Sequence, residues 1–94
     1  MINELIKIIE LIKDNISDCS DVIWTKYETA KEFRDDLDRY MARLKLNDKS
    51  CLEELNVLFA PTGYLQEHSI SNGWSDEYVR LAAQFDKIYC SLKN

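Results

Sequence analysis

Hydrophobic positions repeat every three or four residues in four separate segments of the chain, the spacing that places them on one face of an α-helix. The first segment covers residues 2–16, with a stripe formed by Ile2, Leu5, Ile9, Ile12 and Ile16. The last segment begins at Ser75, and its stripe is formed by Tyr78, Leu81, Phe85, Ile88 and Leu92. Leu11 falls almost opposite the first stripe, so it is either an exposed leucine or part of a second contact surface.

The ends of the two middle helices depend on capping residues. The second helix begins either near Ser20 or at Thr25, which opens a T-x-x-E capping box, and it continues to about residue 44. Ser50 opens an S-x-x-E box, which predicts a short third helix. That helix ends before Pro61, because the residue preceding a proline disfavours the α conformation.

Residues 61–73 hold the only proline and both glycines of the chain, together with its only histidine. A helical chain that gathers its helix-breaking residues in one stretch is expected to have one long loop there, between the third and fourth helices. The sequence therefore predicts an all-α fold, either a four-helix antiparallel bundle or an irregular orthogonal array. At 94 residues it is expected to form a single domain, residues 1–94. Binding residues tend to lie on loops held by a rigid scaffold.

Composition predicts a packed core, and the N-terminal sequence bears on the cellular compartment. Hydrophobic residues make up 46% of the chain, enough for a core, and the scarcity of glycine and proline fits helices with short connections. Charged residues interrupt the apolar N-terminal segment, which has no basic region and no cleavage site of a signal peptide. No stretch approaches the roughly 18 apolar residues of a membrane span. We therefore expect a cytoplasmic protein.

The net charge of −5 comes from one part of the sequence. Residues 50–79 contain no lysine or arginine and five acids, whereas the rest of the chain holds twelve acids and twelve bases; the five acids are Glu53, Glu54, Glu67, Asp76 and Glu77. A field of one sign attracts a cationic partner and speeds its encounter. It argues against binding of nucleic acids or anionic membranes, which need basic patches. The alternative is that these acids only aid solubility.

The residue types that carry metal and catalytic chemistry are few. Cys19, Cys51 and Cys90 are widely spaced and include no C-x-x-C pair, which predicts free thiols, no metal site and no cofactor. His68 follows Glu67, but adjacent side chains point in different directions, so the carboxylate is not expected to orient the imidazole. We therefore predict no enzyme, and we expect His68 to be a surface or capping residue.

One segment carries a resemblance to other proteins. Residues 58–78, LFAPTGYLQEHSISNGWSDEY, cover about a fifth of the chain and resemble a segment of small uncharacterised bacterial proteins, a likeness that implies no activity. Separately, the size, acidity and helical character are similar to those of small bacterial immunity proteins, which neutralise secreted toxins, often nucleases. That second likeness is one of class and implies a protein inhibitor.

These observations together predict a non-enzymatic binding protein, an immunity- or antitoxin-like inhibitor with an acidic surface for a basic partner such as a nuclease toxin. The five acids of residues 50–79 are expected to supply an attractive electrostatic field, and the candidate contacts are Tyr64, His68 and Trp74. The alternative for Trp74 is that it anchors the loop to the core. One alternative is a structural or adaptor module that self-associates through apolar surface such as Leu11. Another is a small enzyme that uses His68. The oligomeric state is left open.

Overall fold

The computed structural model describes residues 2–18, 20, 22, 27–60 and 63–93, and the described residues form helices without any strand. The helices are α1 (Ile2–Asp14), α2 (Ala30–Lys45), α3 (Leu52–Leu58), α4 (Tyr64–Ser71) and α5 (Ser75–Lys93). The all-α prediction is confirmed. The described part of the chain contains five helices rather than the four that were predicted.

Helix α1 packs against both α2 and α5, while α4 packs against α5. Its predicted stripe is confirmed, since Leu5, Ile9 and Ile12 are fully buried. Ile16 lies beyond the end of α1 and is buried as well. The predicted start of the last helix at Ser75 is also confirmed. The core therefore forms where the hydrophobic stripes of the long helices meet.

Helix α2 begins later than the sequence predicted. Its N-cap is Thr29, whose side-chain oxygen accepts a hydrogen bond from the backbone N–H of Glu32 at 3.2 Å. Thr29 opens a second T-x-x-E motif directly after the one that starts at Thr25, a residue outside the described part of the chain. The helix ends where Asn47 adopts a left-handed conformation, with φ of 60°. The predicted start near residues 20–25 is wrong, because the later of two equivalent caps is used.

Helix α3 has the predicted inward face but not the predicted cap. Leu52, Leu55 and Leu58 are buried, as expected. The N-cap is Cys51, which makes no side-chain capping hydrogen bond, and the backbone N–H of Ser50 donates to the Asp48 carboxylate at 2.9 Å. The Ser50 capping box is therefore wrong. Pro61, the predicted stop signal, lies outside the described residues.

Helix α4 occupies most of the stretch in which a long loop was predicted, so that prediction is wrong. The two glycines of the chain lie just outside its ends: Gly63 is the N-cap, and Gly73 follows the helix with φ of +79°. The N–H of Trp74 donates to the Ser69 carbonyl at 2.9 Å and closes the C-terminal turn, as in a Schellman motif. The glycines therefore start and stop a helix of eight residues.

Candidate functional site

His68 and Trp74, two of the predicted contact residues, lie inside the protein and bond to each other. His68 is 1% exposed and Trp74 is 8% exposed. The indole Nε1–H donates to His68 Nδ1 at 3.1 Å. Because an indole nitrogen can only donate, Nδ1 acts as the acceptor and carries no proton. The expectation of a surface histidine is therefore wrong, and neither ring offers its face to a partner in this conformation.

The pair belongs to a continuous series of aromatic rings that crosses the core from α2 to α5. Neighbouring ring centroids in the series are 4.1 to 6.1 Å apart; in order, the rings are Tyr27, Phe33, His68, Trp74, Tyr78, Phe59, Phe85 and Tyr89. Offset and edge-to-face contacts of this kind stabilise a core beyond the burial of area. His68 thus serves as a polar member of the aromatic core.

The five acids of residues 50–79 do not form one surface. Glu53 accepts a hydrogen bond from the Tyr89 hydroxyl at 2.9 Å, and Glu77 accepts one from the Asn15 side-chain amide at 3.1 Å. Positions 77 and 89 are separated by twelve residues of α5, about 18 Å along the helix axis. That separation exceeds the Debye length of about 8 Å at physiological ionic strength. Glu53 and Glu77 therefore act on different parts of the surface.

Two further acids of residues 50–79, Asp76 and Glu67, lie in the first turns of two different helices. Asp76 is exposed in the first turn of α5, where a carboxylate interacts favourably with the positive end of the helix dipole. Glu67 is half-buried in the first turn of α4. A charge map of the sequence therefore overstates how concentrated the negative charge is in space.

Glu54 and Tyr64, in contrast, line the same groove, which lies between α2, α3 and α4. The groove has a volume of about 200 Å³, and its other walls are Tyr40, Val57 and Leu58. Burial, followed by the nearby charge of Glu54, raises the pKa of the Tyr40 hydroxyl. The structure thus brings together two predicted contact residues with a third side chain, Tyr40, that was not predicted as a contact.

A second groove lies at the start of α2 and is lined by Tyr27, Glu32, Asp35, Asp36 and Arg39, with a volume of about 330 Å³. The Tyr27 hydroxyl donates to the Asp36 carboxylate at 2.7 Å. Burial raises the pKa of Tyr27 well above its ordinary value. Tyr27 is therefore held in its protonated, hydrogen-bonding form at the edge of this acidic groove.

The two grooves are neighbours, because the ring of Tyr27 in one and the ring of Tyr64 in the other meet edge to face with centroids 6.4 Å apart. We call the two grooves together the tyrosine face; it consists of Tyr27, Tyr40 and Tyr64 with the carboxylates of Glu32, Asp35, Asp36 and Glu54.

Two of the four carboxylates on the tyrosine face have cationic partners. Arg39 pairs with Asp36, and Lys31 pairs with Asp35 at 2.9 Å. Within the described part of the chain no cation pairs with Glu32 or Glu54. The face therefore carries a net charge of about −2 when these groups are all ionised.

Sequence reasoning missed most of this face. Hydrophobic spacing in the second predicted helix assigns Tyr27 and Tyr40 to its core stripe and leaves Asp35 on its solvated face. Both tyrosines are indeed mostly buried, at 8% and 6% exposed, but the Tyr27 hydroxyl bonds to Asp36, and the charge of Glu54 acts on the Tyr40 hydroxyl. The available signal was the choice of tyrosine over phenylalanine at these positions, since a buried tyrosine hydroxyl usually has a hydrogen-bond partner.

Cysteines and metal-binding residues add no further site among the described residues. No group of three or more His, Cys, Asp or Glu side chains there is placed to hold a metal ion. Cys51 is buried, which raises the pKa of its thiol, whereas Cys90 is exposed; Cys19 lies outside the described residues. None of the described helices combines the length and the apolar character that crossing a membrane requires.

Comparison with known proteins was negative throughout. No protein-family model, curated protein or solved structure matches the chain. The resemblance of residues 58–78 to small bacterial proteins, and the class likeness to immunity proteins, therefore stay predictions.

Proposed function

We propose that this protein is a non-enzymatic binding protein whose tyrosine face recognises a basic surface on a partner protein. The observation that carries the proposal is the half-buried ring of Tyr64 beside four carboxylates, two of which have no cationic partner among the described residues. Tyrosine adds contact area at a low entropic cost and is enriched among the residues that dominate binding energy. The excess of carboxylates attracts a cationic partner and repels nucleic acids and anionic membranes.

An immunity- or antitoxin-like inhibitor is the form of this function that the chemistry favours. An enzyme that acts on nucleic acids carries a basic surface, because it must neutralise phosphates. An acidic, tyrosine-rich face on a small rigid domain complements such a surface and blocks access to it. The net charge of −5 adds long-range attraction to the local contacts.

Calorimetry with the protein encoded by the neighbouring gene tests this proposal. The double charge reversal Glu32→Lys with Asp35→Lys is expected to weaken binding at least about tenfold, since close interfacial charge pairs couple strongly. The matched control reverses Glu10 and Asp14, two exposed acids on α1, and is expected to change the affinity less than about threefold. Equal losses in the two variants, or binding that is insensitive to salt, would contradict the proposal.

A second candidate function, self-association, is favoured by a different observation. An open, largely apolar groove of about 340 Å³ lies between α1 and α5 and is lined by Ile8, Leu11 and Ile88 with charged residues at its rim. Leu11 is only partly buried there. If this groove forms a dimer, sedimentation should show a concentration-dependent mass that Leu11→Lys abolishes. A strict monomer at all concentrations would remove this candidate.

The small enzyme that uses His68 is not favoured by the geometry. The imidazole is 1% exposed, and its Nδ1 already accepts the Trp74 hydrogen bond. A general base must come within hydrogen-bond reach of a substrate proton. Such contact would require the aromatic core around His68 to open first.

A further inference from the structure

The groove formed by Tyr40, Glu54, Val57, Leu58 and Tyr64 combines three kinds of wall within about 200 Å³. Glu54 supplies a carboxylate, Tyr40 and Tyr64 supply aromatic rings, and Val57 and Leu58 supply aliphatic surface. Val57 is 63% exposed, so its aliphatic surface is open to a ligand. The groove thus offers an anionic acceptor, a ring and an apolar wall side by side.

We propose that this groove binds the side chain of an arginine from the partner protein, an inference that rests on the proposed function and specifies its chemistry. A guanidinium group donates two parallel hydrogen bonds to a carboxylate and stacks on aromatic rings. Its three-carbon stem packs on apolar surface. Each of these three interactions has its counterpart in the groove. Glu54 can accept the guanidinium hydrogen bonds, the ring of Tyr64 can stack on the guanidinium plane, and Val57 can pack against the aliphatic stem.

The surroundings of Glu54 leave its carboxylate able to accept an arginine. A carboxylate offers about four lone-pair sites, and no cation among the described residues pairs with Glu54. The neighbouring cation, Arg39, is paired with Asp36, so its charge is compensated within the face. Tyr64 is half-buried, with its ring held edge-on to Tyr27, which orders it before any ligand arrives.

Arginine is favoured over lysine by the shape of these groups. A lysine ammonium is a compact, strongly hydrated point charge, so it gains less from a planar ring and a two-oxygen acceptor than a guanidinium does. The groove is therefore expected to distinguish the two cations even though their charges are equal. General attraction to an acidic protein would not distinguish them.

Binding of two capped peptides, hexaarginine and hexalysine, to the full chain tests the proposal by calorimetry at low ionic strength. Hexaarginine is expected to bind at least about tenfold more tightly than hexalysine. The variant Glu54→Gln is expected to lower its affinity about tenfold, and Tyr64→Leu about fivefold, while Tyr64→Phe retains the ring and most of the affinity. The backbone amide resonances of Val57 and Tyr64 are expected to shift on titration.

Glu53→Gln is the matched control, because it removes the same charge from the neighbouring position of α3 while Glu53 itself bonds to Tyr89 on α5. It is expected to change hexaarginine affinity less than about twofold. Equal losses from Glu53→Gln and Glu54→Gln, or equal affinity for the two peptides, would overturn the arginine site. In that case the tyrosine face would attract cations only through its net charge. The proposed function would still be decided by the charge-reversal experiment with the protein partner. Hexaarginine that does not bind at all also overturns the site.

Discussion

Replacing Gly63 with alanine would place a methyl group 2.6 Å from the Val57 carbonyl oxygen and 2.8 Å from the Leu58 carbonyl oxygen. Both oxygens belong to the backbone at the end of α3, so no side-chain rotation can relieve the contact. A tight but tolerable contact requires the chain to move by roughly half an ångström. Gly63 is thus needed for the close approach of α4 to α3.

The loss of stability caused by Gly63→Ala can be estimated from overpacking substitutions in other proteins. Inserting a methylene into a well-packed site typically costs about 1–3 kcal/mol, and the fixed backbone places Gly63→Ala in the upper half, about 2–3 kcal/mol. For a domain of this size the midpoint of thermal unfolding then falls by roughly 10–20 °C. Urea unfolding followed by far-ultraviolet circular dichroism measures the loss of stability directly.

Gly73→Ala is the informative control, because the backbone argument taken alone ranks the two sites in the opposite order. Gly73 has φ of +79°, which costs an alanine about 1–2 kcal/mol, but no atom lies within 4 Å of the added methyl group. Gly63 has an ordinary φ of −82°. The structure therefore predicts a larger loss at Gly63. A smaller loss at Gly63 than at Gly73 would refute the packing argument.

Three further predictions concern hydrogen bonds and caps. Trp74→Phe removes the donor to His68 and is expected to lower the free energy of unfolding by about 1–3 kcal/mol in urea, because a buried acceptor is left without that partner. A loss below about 0.5 kcal/mol would contradict this. Burial raises the pKa of Tyr78 to about 12, so between pH 10 and 12 the unfolded chain binds fewer protons than the folded one. Stability therefore falls as pH rises through this range, by at most about 1.4 kcal/mol per pH unit. Tyr78→Phe should make this loss shallower, and an unchanged slope of stability against pH would count against the raised pKa of Tyr78. Thr29→Ala is expected to cost about 1 kcal/mol and Ser50→Ala less than about 0.5 kcal/mol in the same assay, and the reverse order would argue for the capping box at Ser50.

The starts of the middle helices show a limit of local sequence signals. Thr25 and Thr29 open two T-x-x-E motifs of the same form, and nothing within either motif ranks them. The helix uses Thr29, which places Ala30 and Phe33 in the core. The motif alone therefore does not decide which of the two starts is used.

Helix α4 was missed for a related reason. Its buried positions are Leu65, His68 and Ser69, which have the spacing of a helix face, but two of the three are polar. A search for hydrophobic periodicity cannot recognise such a face. His68 and Ser69 are buried because each has a hydrogen-bond partner: Trp74 donates to the imidazole, and the Ser69 hydroxyl donates to the Gln66 carbonyl at 2.7 Å.

The candidate site also combines residues that the sequence could group correctly with residues that it could not. Glu54 and Tyr64 were named from sequence, and the structure places them in one groove. The remaining acids of residues 50–79 were grouped only because they are close in the chain; Glu53 bonds to Tyr89 near the end of α5, whereas Glu77 lies in the first turn of α5 and bonds to Asn15. Closeness in sequence predicts a shared surface only within one or two helical turns.

The sequence by itself determined the helical class, the inward faces of α1 and α5, and the position where α5 begins, because these follow from the periodicity of hydrophobic residues and from a local turn signal. Only the tertiary structure decided that the two glycines bound a helix, that His68 belongs to the core, and that the Tyr27 hydroxyl meets the carboxylate of Asp36 on α2. The physical reason is that periodicity records which side of a helix is buried. It carries no information on which helices become neighbours, and the pairing of polar groups across those contacts depends on that choice.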